Sequence, residues 1–237
     1  MYESMRDKRS GVDGGKSQGG LFCIFVCLAI SAVAVLSCEL DLLEEGWEGD
    51  IPSGGIQAVS DLFERPAEDT DMYRLHTNDR RFSRLHGSSV WLPLDDNSQD
   101  PFDSWEVEVT KSSGDRNAGY GIVLCQQRDS EGIESMLTVM IRVDRYYQIG
   151  KVVGKKYTKL LGWRFSKRLK GGYGISNRIE VEREDGEFVL TFNGGEVVRF
   201  RDKKEPIHEG GVQGFLAVIS PLESFPSVPV DIGFKVR

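Results

Sequence analysis

Cysteine and histidine are scarce in this sequence and nowhere paired. Of the four cysteines, Cys23 and Cys27 lie inside an apolar run, Cys38 closes it, and Cys125 stands alone far downstream. No Cys-x-x-Cys or mixed Cys/His spacing suits zinc, and His76, His86 and His208 have no partner at ligand spacing, so neither a disulfide framework nor a zinc centre is indicated. Asp95, Asp96, Asn97 and Asp100 are clustered but follow no calcium-liganding pattern. A Gly-x-Ser-x-Gly elbow, a phosphate loop and a dinucleotide fingerprint are all missing, because Gly171-Gly172-Tyr173-Gly174 precedes a strand pattern and reads as a turn. Helical periodicity is absent after Cys38, which argues against a bundle. Long apolar runs are absent too, with one exception, so the chain is not a multi-span membrane protein. Hydrophobic content of 39% and charged content of 28% are those of a folded globular chain, which excludes wholesale disorder.

The exception is residues 21–37, LFCIFVCLAISAVAVLS, which carry no charge and are about as long as the shortest membrane-spanning helices. Arg6, Lys8, Arg9 and Lys16 precede the run, and the residues after Cys38 are acidic. Positive flanks stay in the cytoplasm, so the remainder of the chain is expected outside it. A basic end, an apolar stretch and small residues before a cut are the three parts of a signal peptide. Val35-Leu36-Ser37-Cys38 resembles a bacterial lipobox in the relaxed form of spirochaetal lipoproteins. The resemblance implies cleavage after Ser37 and fatty chains such as palmitate on Cys38. The same flanks suit an uncleaved N-terminal anchor helix, with Met5 as a conceivable start, or a buried core helix. The organisation expected is a signal peptide over 1–37, an acidic tether over 38–50, and a β-sandwich over 51–237 that is best marked from residue 88.

From residue 88 apolar residues recur with period two. Trp105, Val107 and Val109 alternate with Glu106 and Glu108; Leu137, Val139, Ile141 and Val143 share one side; Val228, Val230, Ile232, Phe234 and Val236 share another. Between Asn177 and Arg201 three such runs are separated by Asp185-Gly186 and Asn193-Gly194, dipeptides that tolerate positive φ at both central turn positions, so two tight hairpins are predicted. Roughly ten to twelve short strands separated by Gly-rich turns predict an all-β, two-sheet antiparallel sandwich. The order Trp105, Tyr120-Gly121-Ile122-Val123, Tyr147-Gln148-Ile149-Gly150, Phe188-x-Leu190-x-Phe192-Asn193-Gly194 and Gly210-Gly211-x-x-Gly214-Phe215 resembles the concanavalin A-like, laminin G-like jelly roll. That superfamily includes lectins, adhesion modules and glycoside hydrolases, so the resemblance implies a fold and leaves the function open.

A hydrolase needs two carboxylates about 5 to 9 Å apart across the sugar. The resemblance would supply them from a Glu-x-Asp-x-x-Glu run on one strand, and no such run exists. Glu106, Glu108, Glu180, Glu182 and Glu184 each have apolar neighbours on the opposite strand face, the pattern of a solvated sheet surface, so no catalytic residue is assigned. Charge placement is more distinctive. Between Asp144 and Glu180 there are ten bases and no acid, in a chain that is net negative overall. Lys155, Lys156, Lys159, Trp163, Arg164, Lys167, Arg168 and Lys170 are the candidate binding residues for an anionic partner, with the alternative that these bases line separate loops and pair with acids of the same molecule. No metal or other cofactor is implied, and an exported acidic chain with no recognition motif is not expected to bind nucleic acid. The expectation is a lipid-anchored, exported, non-catalytic module binding a glycan or protein at the cell envelope. A glycan-cleaving enzyme using Glu106 or Glu108 and a purely structural envelope protein are the alternatives.

Overall fold

A computed structural model describes residues 57–58, 62–67, 71–82, 88–94, 103–154, 156–203, 207, 210–220 and 225–237. The predicted signal peptide, Cys38 and the acidic tether lie outside the described residues. The described residues include the 3-10 turn Arg80–Phe82, and among them no helix is long and apolar enough to cross a membrane.

Among the described residues fourteen strands follow one another: β1 (Gln57–Ala58), β2 (Phe63–Glu64), β3 (Met72–Thr77), β4 (Ser88–Pro93), β5 (Ser104–Ser113), β6 (Tyr120–Arg128), β7 (Glu134–Ile141), β8 (Tyr146–Val153), β9 (Lys156–Phe165), β10 (Ser176–Glu184), β11 (Glu187–Phe192), β12 (Gly195–Phe200), β13 (Val212–Ile219) and β14 (Val230–Val236). They form two sheets of seven, ordered β1-β4-β13-β6-β7-β8-β9 and β12-β11-β10-β5-β14-β3-β2. Every pairing is antiparallel except that of β1 with β4. The result is an all-β, two-sheet antiparallel sandwich, an arrangement that fits a jelly roll. The strand number exceeds the ten to twelve predicted, the shortest strands being the two-residue pairings β1 and β2.

The two predicted hairpins are present. Asp185 and Gly186 have φ of 51° and 75°, Asn193 and Gly194 of 51° and 78°, so both central residues of each turn are left-handed, and the turns twist in the sense their flanking strands require. Register then follows, with Glu184 opposite Glu187 and Phe192 opposite Gly195.

The shared core lies between the sheets. Val107 and Val109 of β5, Ile179 and Val181 of β10, and Ile232 and Phe234 of β14 meet Ile122, Val139, Ile149 and Phe215 from the other sheet, all essentially without solvent exposure. Phe215 is the pin: its ring stacks on Trp105 at 5.8 Å and on Phe234 at 4.6 Å, and tilts against Tyr73 at 5.1 Å. Cys125 is buried in this core. At one margin the Lys151 ammonium meets a carboxylate oxygen of Asp202 at 2.8 Å, with both side chains nearly fully buried.

Candidate functional site

In most antiparallel sandwiches the face turned away from the core is polar. The first sheet departs from this. Where Leu137, Val139 and Ile141 of β7 turn inward, period two sends Met136, Thr138 and Met140 outward; Gln148, Gly150 and Val152 of β8 stand opposite them on the same face. Met136, Met140 and Val152 join Trp91, Val123, Leu216, Val218 and Tyr157 in a second buried apolar cluster, against which Trp163 packs half-buried. That cluster draws on the first sheet and on Ala118, and takes nothing from the second sheet.

Polar groups are set within it. The Tyr157 hydroxyl donates to Gln148 Oε1 at 2.9 Å, over Gly150, where any side chain would strike that hydroxyl. Burial pushes the Tyr157 phenol well above its ordinary range, an effect only partly offset by the Thr138 hydroxyl beside it, so it stays a donor at neutral pH. Trp91 Nε1 is a buried donor with no hydrogen-bond partner.

At the β8–β9 margin the face opens to solvent. The Arg142 guanidinium lies 5.1 Å from the Trp163 ring and 5.3 Å from the Tyr146 ring. It is held there by both carboxylate oxygens of Asp144 and by Asn117 Oδ1 at 3.0 Å. Tyr146 packs edge-on against Phe165 at 5.8 Å; they are 37% and 50% exposed, which makes them a shelf of aromatic surface available to a ligand.

The candidate bases do not form one patch. Lys156 pairs with Val153 and Arg164 with Tyr147, near opposite ends of β8, so they stand about 20 Å apart at 3.3 Å per residue. Lys156, Arg164, Lys167 and Lys170 are exposed, and Lys159 is half-buried. Arg168 is exposed and reaches over Gly195, where an added Cβ would meet its guanidinium at 2.5 Å. The Lys170 backbone is fixed by Asn177, which accepts from its N–H at 2.8 Å and donates to its carbonyl at 2.9 Å. Lys155 lies outside the described residues. Two further members of the basic window are taken up elsewhere: Lys151 by Asp202, and Arg178 beside Glu106 at 3.6 Å on the second sheet. Only Trp163 among the candidates belongs to the aromatic face.

The glutamates singled out from the sequence line the outward face of the second sheet. Glu106 stands opposite Glu180 across the β5–β10 pairing, and Glu108 accepts from Arg237 at 2.8 Å. Burial, then Glu106 and Glu182, raise the Glu180 carboxyl above its ordinary value. This is a solvated, ion-paired surface on the sheet opposite the aromatic one. Among the described residues no group of three His, Cys, Asp or Glu side chains comes together to hold a metal ion. His86, His208 and the Asp95–Asp100 cluster lie outside them.

Arg142, Tyr146, Gln148 and Trp91 were not identified as candidates from the sequence. The available signal was that β7 is apolar on both faces, with Met136 and Met140 where a solvated strand would carry charge.

No protein-family model and no curated protein sequence matches the chain. Among solved structures, the β-glucanase of Bacillus licheniformis is similar at a TM-score of 0.50 and 6% identity, over 79% of this chain and 87% of that one. A carbohydrate-binding module, CBM66 from Bacillus subtilis, gives 0.49 and 10%, over 73% and 88%. A prokaryotic β-1,3-1,4-glucanase (lichenase) derived from a mouse hindgut metagenome gives 0.47 and 11%, over 80% and 90%. At these identities the likeness to the Bacillus licheniformis enzyme is one of fold.

Proposed function

We propose that this protein is an exported, lipid-anchored glycan-binding module that holds its ligand without cleaving it. The observation that carries the reading is the exposed shelf of Tyr146 and Phe165, continuous through Arg142 with Trp163 on the outward face of the first sheet. Pyranose rings present a flat C–H face to an aromatic ring and hydroxyls to neighbouring donors and acceptors. The shelf offers the first partner, and Asn117 and Asp144 beside it offer the second. The central outward positions of β7 and β8 are Met136, Thr138, Met140, Gln148, Gly150 and Val152, none of which can act as general acid, base or nucleophile toward a glycosidic bond. Glu106 and Glu108, the residues a hydrolase reading would use, lie on the other sheet. The anchor is the fatty chains on Cys38, each buried methylene contributing about 0.8 kcal/mol of membrane affinity.

The test uses the full-length protein extracted in detergent from a bacterial host that processes lipoproteins. Retention on a glycan array with the sugars recovered intact is the expected result. Shortened products, or no retention on any glycan, would overturn the binding reading. An intact mass equal to the chain from Cys38 plus acyl groups is expected; a mass that includes residues 1–37 overturns the lipid anchor and leaves the binding reading in place.

A further inference from the structure

One end of the sandwich carries an open groove of about 630 Å³, distinct from the aromatic shelf and walled by four connections. The β5–β6 turn supplies Asp115 and Arg116, β7–β8 supplies Val143, β9–β10 supplies Tyr173, and β13–β14 supplies Val228. Tyr173 and Val228 are 45% and 40% exposed, so the groove offers a ring and an aliphatic wall to solvent. The Tyr173 hydroxyl donates to the Gly114 carbonyl at 2.6 Å, which fixes the ring against the opposite turn.

The lining of the groove carries one acid, Asp115, and one base, Arg116, and two further bases stand next to it. Asp115 Oδ1 is occupied by the Asn117 N–H at 2.9 Å, the cap of its own turn. Behind that turn the Lys111 ammonium, 1% exposed, donates to the carbonyls of Asp115 and Ala118 at 2.5 and 3.0 Å. Arg116 is exposed and has no hydrogen-bond or ion partner among the described residues. Arg145 lies along Gly171, next to Gly172 of the groove wall, where an added Cβ would meet its Nε at 3.0 Å. One carboxylate thus sits among three cations: Arg116 in the lining, Lys111 behind the turn and Arg145 beside Gly171.

We propose that this groove binds an acidic sugar residue, with the pyranose ring on Tyr173 and its carboxylate or sulfate on Arg116. The guanidinium fork suits either oxyanion, through two parallel N–H donors. The inference rests on the glycan-binding reading and extends it: a neutral stretch of the glycan lies on the Tyr146–Phe165 shelf, and an acidic residue enters the end groove. It also relocates the polyanion site, from the dispersed lysines of β9 and the following loop to Arg116 and Arg145.

The experiment compares three oligosaccharides by titration calorimetry on the full-length protein in detergent: an oligogalacturonate, its methyl ester, and a sulfated galactan. The expected result is that Arg116→Ala weakens one or both acidic ligands at least tenfold and leaves the ester unchanged. Which acidic ligand responds identifies carboxylate or sulfate. Tyr173→Ala is expected to weaken the same ligand, and Tyr173→Phe to retain it. Arg116 is on the surface, so thermal melts of the variants should match the parent. If acidic ligands bind no better than the ester, or lose affinity only when Lys156 and Lys159 are changed, the groove assignment is overturned while binding of the ester leaves the shelf standing. Absence of binding to all three ligands overturns both.

Discussion

The ring of Phe215 lies face to face with that of Phe234 at a centroid separation of 4.6 Å, joining β13 of the first sheet to β14 of the second. Trp105 stacks on the same ring, so removing Phe215 empties the middle of the sandwich. Phe215→Ala is expected to cost about 3–5 kcal/mol in urea unfolding, and Phe215→Leu distinctly less. A loss below about 1 kcal/mol for the alanine would mean that the sheets are held together elsewhere.

The Lys151–Asp202 pair is buried on both sides, and Asp202 Oδ1 has no hydrogen-bond partner. Removing one member strands a charge, so Asp202→Leu alone should destabilise by about 3–5 kcal/mol. Replacing both, as Lys151→Met with Asp202→Leu, should recover most of that loss, since two apolar groups leave no charge to desolvate. Chemical denaturation of the two single variants and the double variant gives the coupling directly.

Lys111 occupies an inward position of β5, after Trp105, Val107 and Val109. Burial lowers its ammonium from 10.5 to about 8, against a smaller opposing pull from Asp115. The folded state therefore releases this proton before the unfolded state does, and stability should rise as pH increases from about 8 towards 10.5. The buried tyrosines Tyr120 and Tyr157 resist ionisation and reverse the trend at higher pH, so pH 7.5 to 9.5 is the useful interval. Lys111→Met should remove the rise, as read by thermal melts across that interval.

Glu180 has the opposite linkage. Its raised carboxyl means that the folded state binds the proton more tightly, so its charge opposes folding at neutral pH and ceases to do so in acid. Glu180→Gln is expected to raise the melting temperature slightly at pH 7 and not at pH 3.5, where the carboxyl is protonated in both states. A gain of equal size at both pH values would show that crowding, and not charge repulsion with Glu106, is what the substitution relieves.

The strands that place one face in the core were legible in the sequence because period two needs only local information. β5 follows the alternation of Trp105–Val109, β7 that of Leu137–Ile141 and β14 that of Val230–Val236, with Val143 falling in the turn after β7 and Val228 exposed before β14; the β10–β12 meander follows from two Gly-containing turns. The candidate site was less legible because it is made by pairing. Arg142, Tyr146 and Phe165 belong to three successive segments that become neighbours only when β7, β8 and β9 take their register. The run of bases needed the same information, since the sequence alone left open whether they converge or line separate segments. Folding the run into β8, the edge strand β9 and the loop after it separates Lys156 from Arg164 and buries Lys151. Lys111 escapes the pattern because the apolar alternation ends at Val109, while β5 runs on to Ser113 and turns the next inward position to a lysine.

The central claim, that the outward aromatic shelf holds a glycan, is tested most directly by calorimetric titration of Phe165→Ala against the parent, using a neutral oligosaccharide retained on the array. Phe165 is half exposed, so the variant should melt with the parent. The account predicts at least a tenfold rise in Kd, about 1.4 kcal/mol. An unchanged Kd for the folded variant would contradict it.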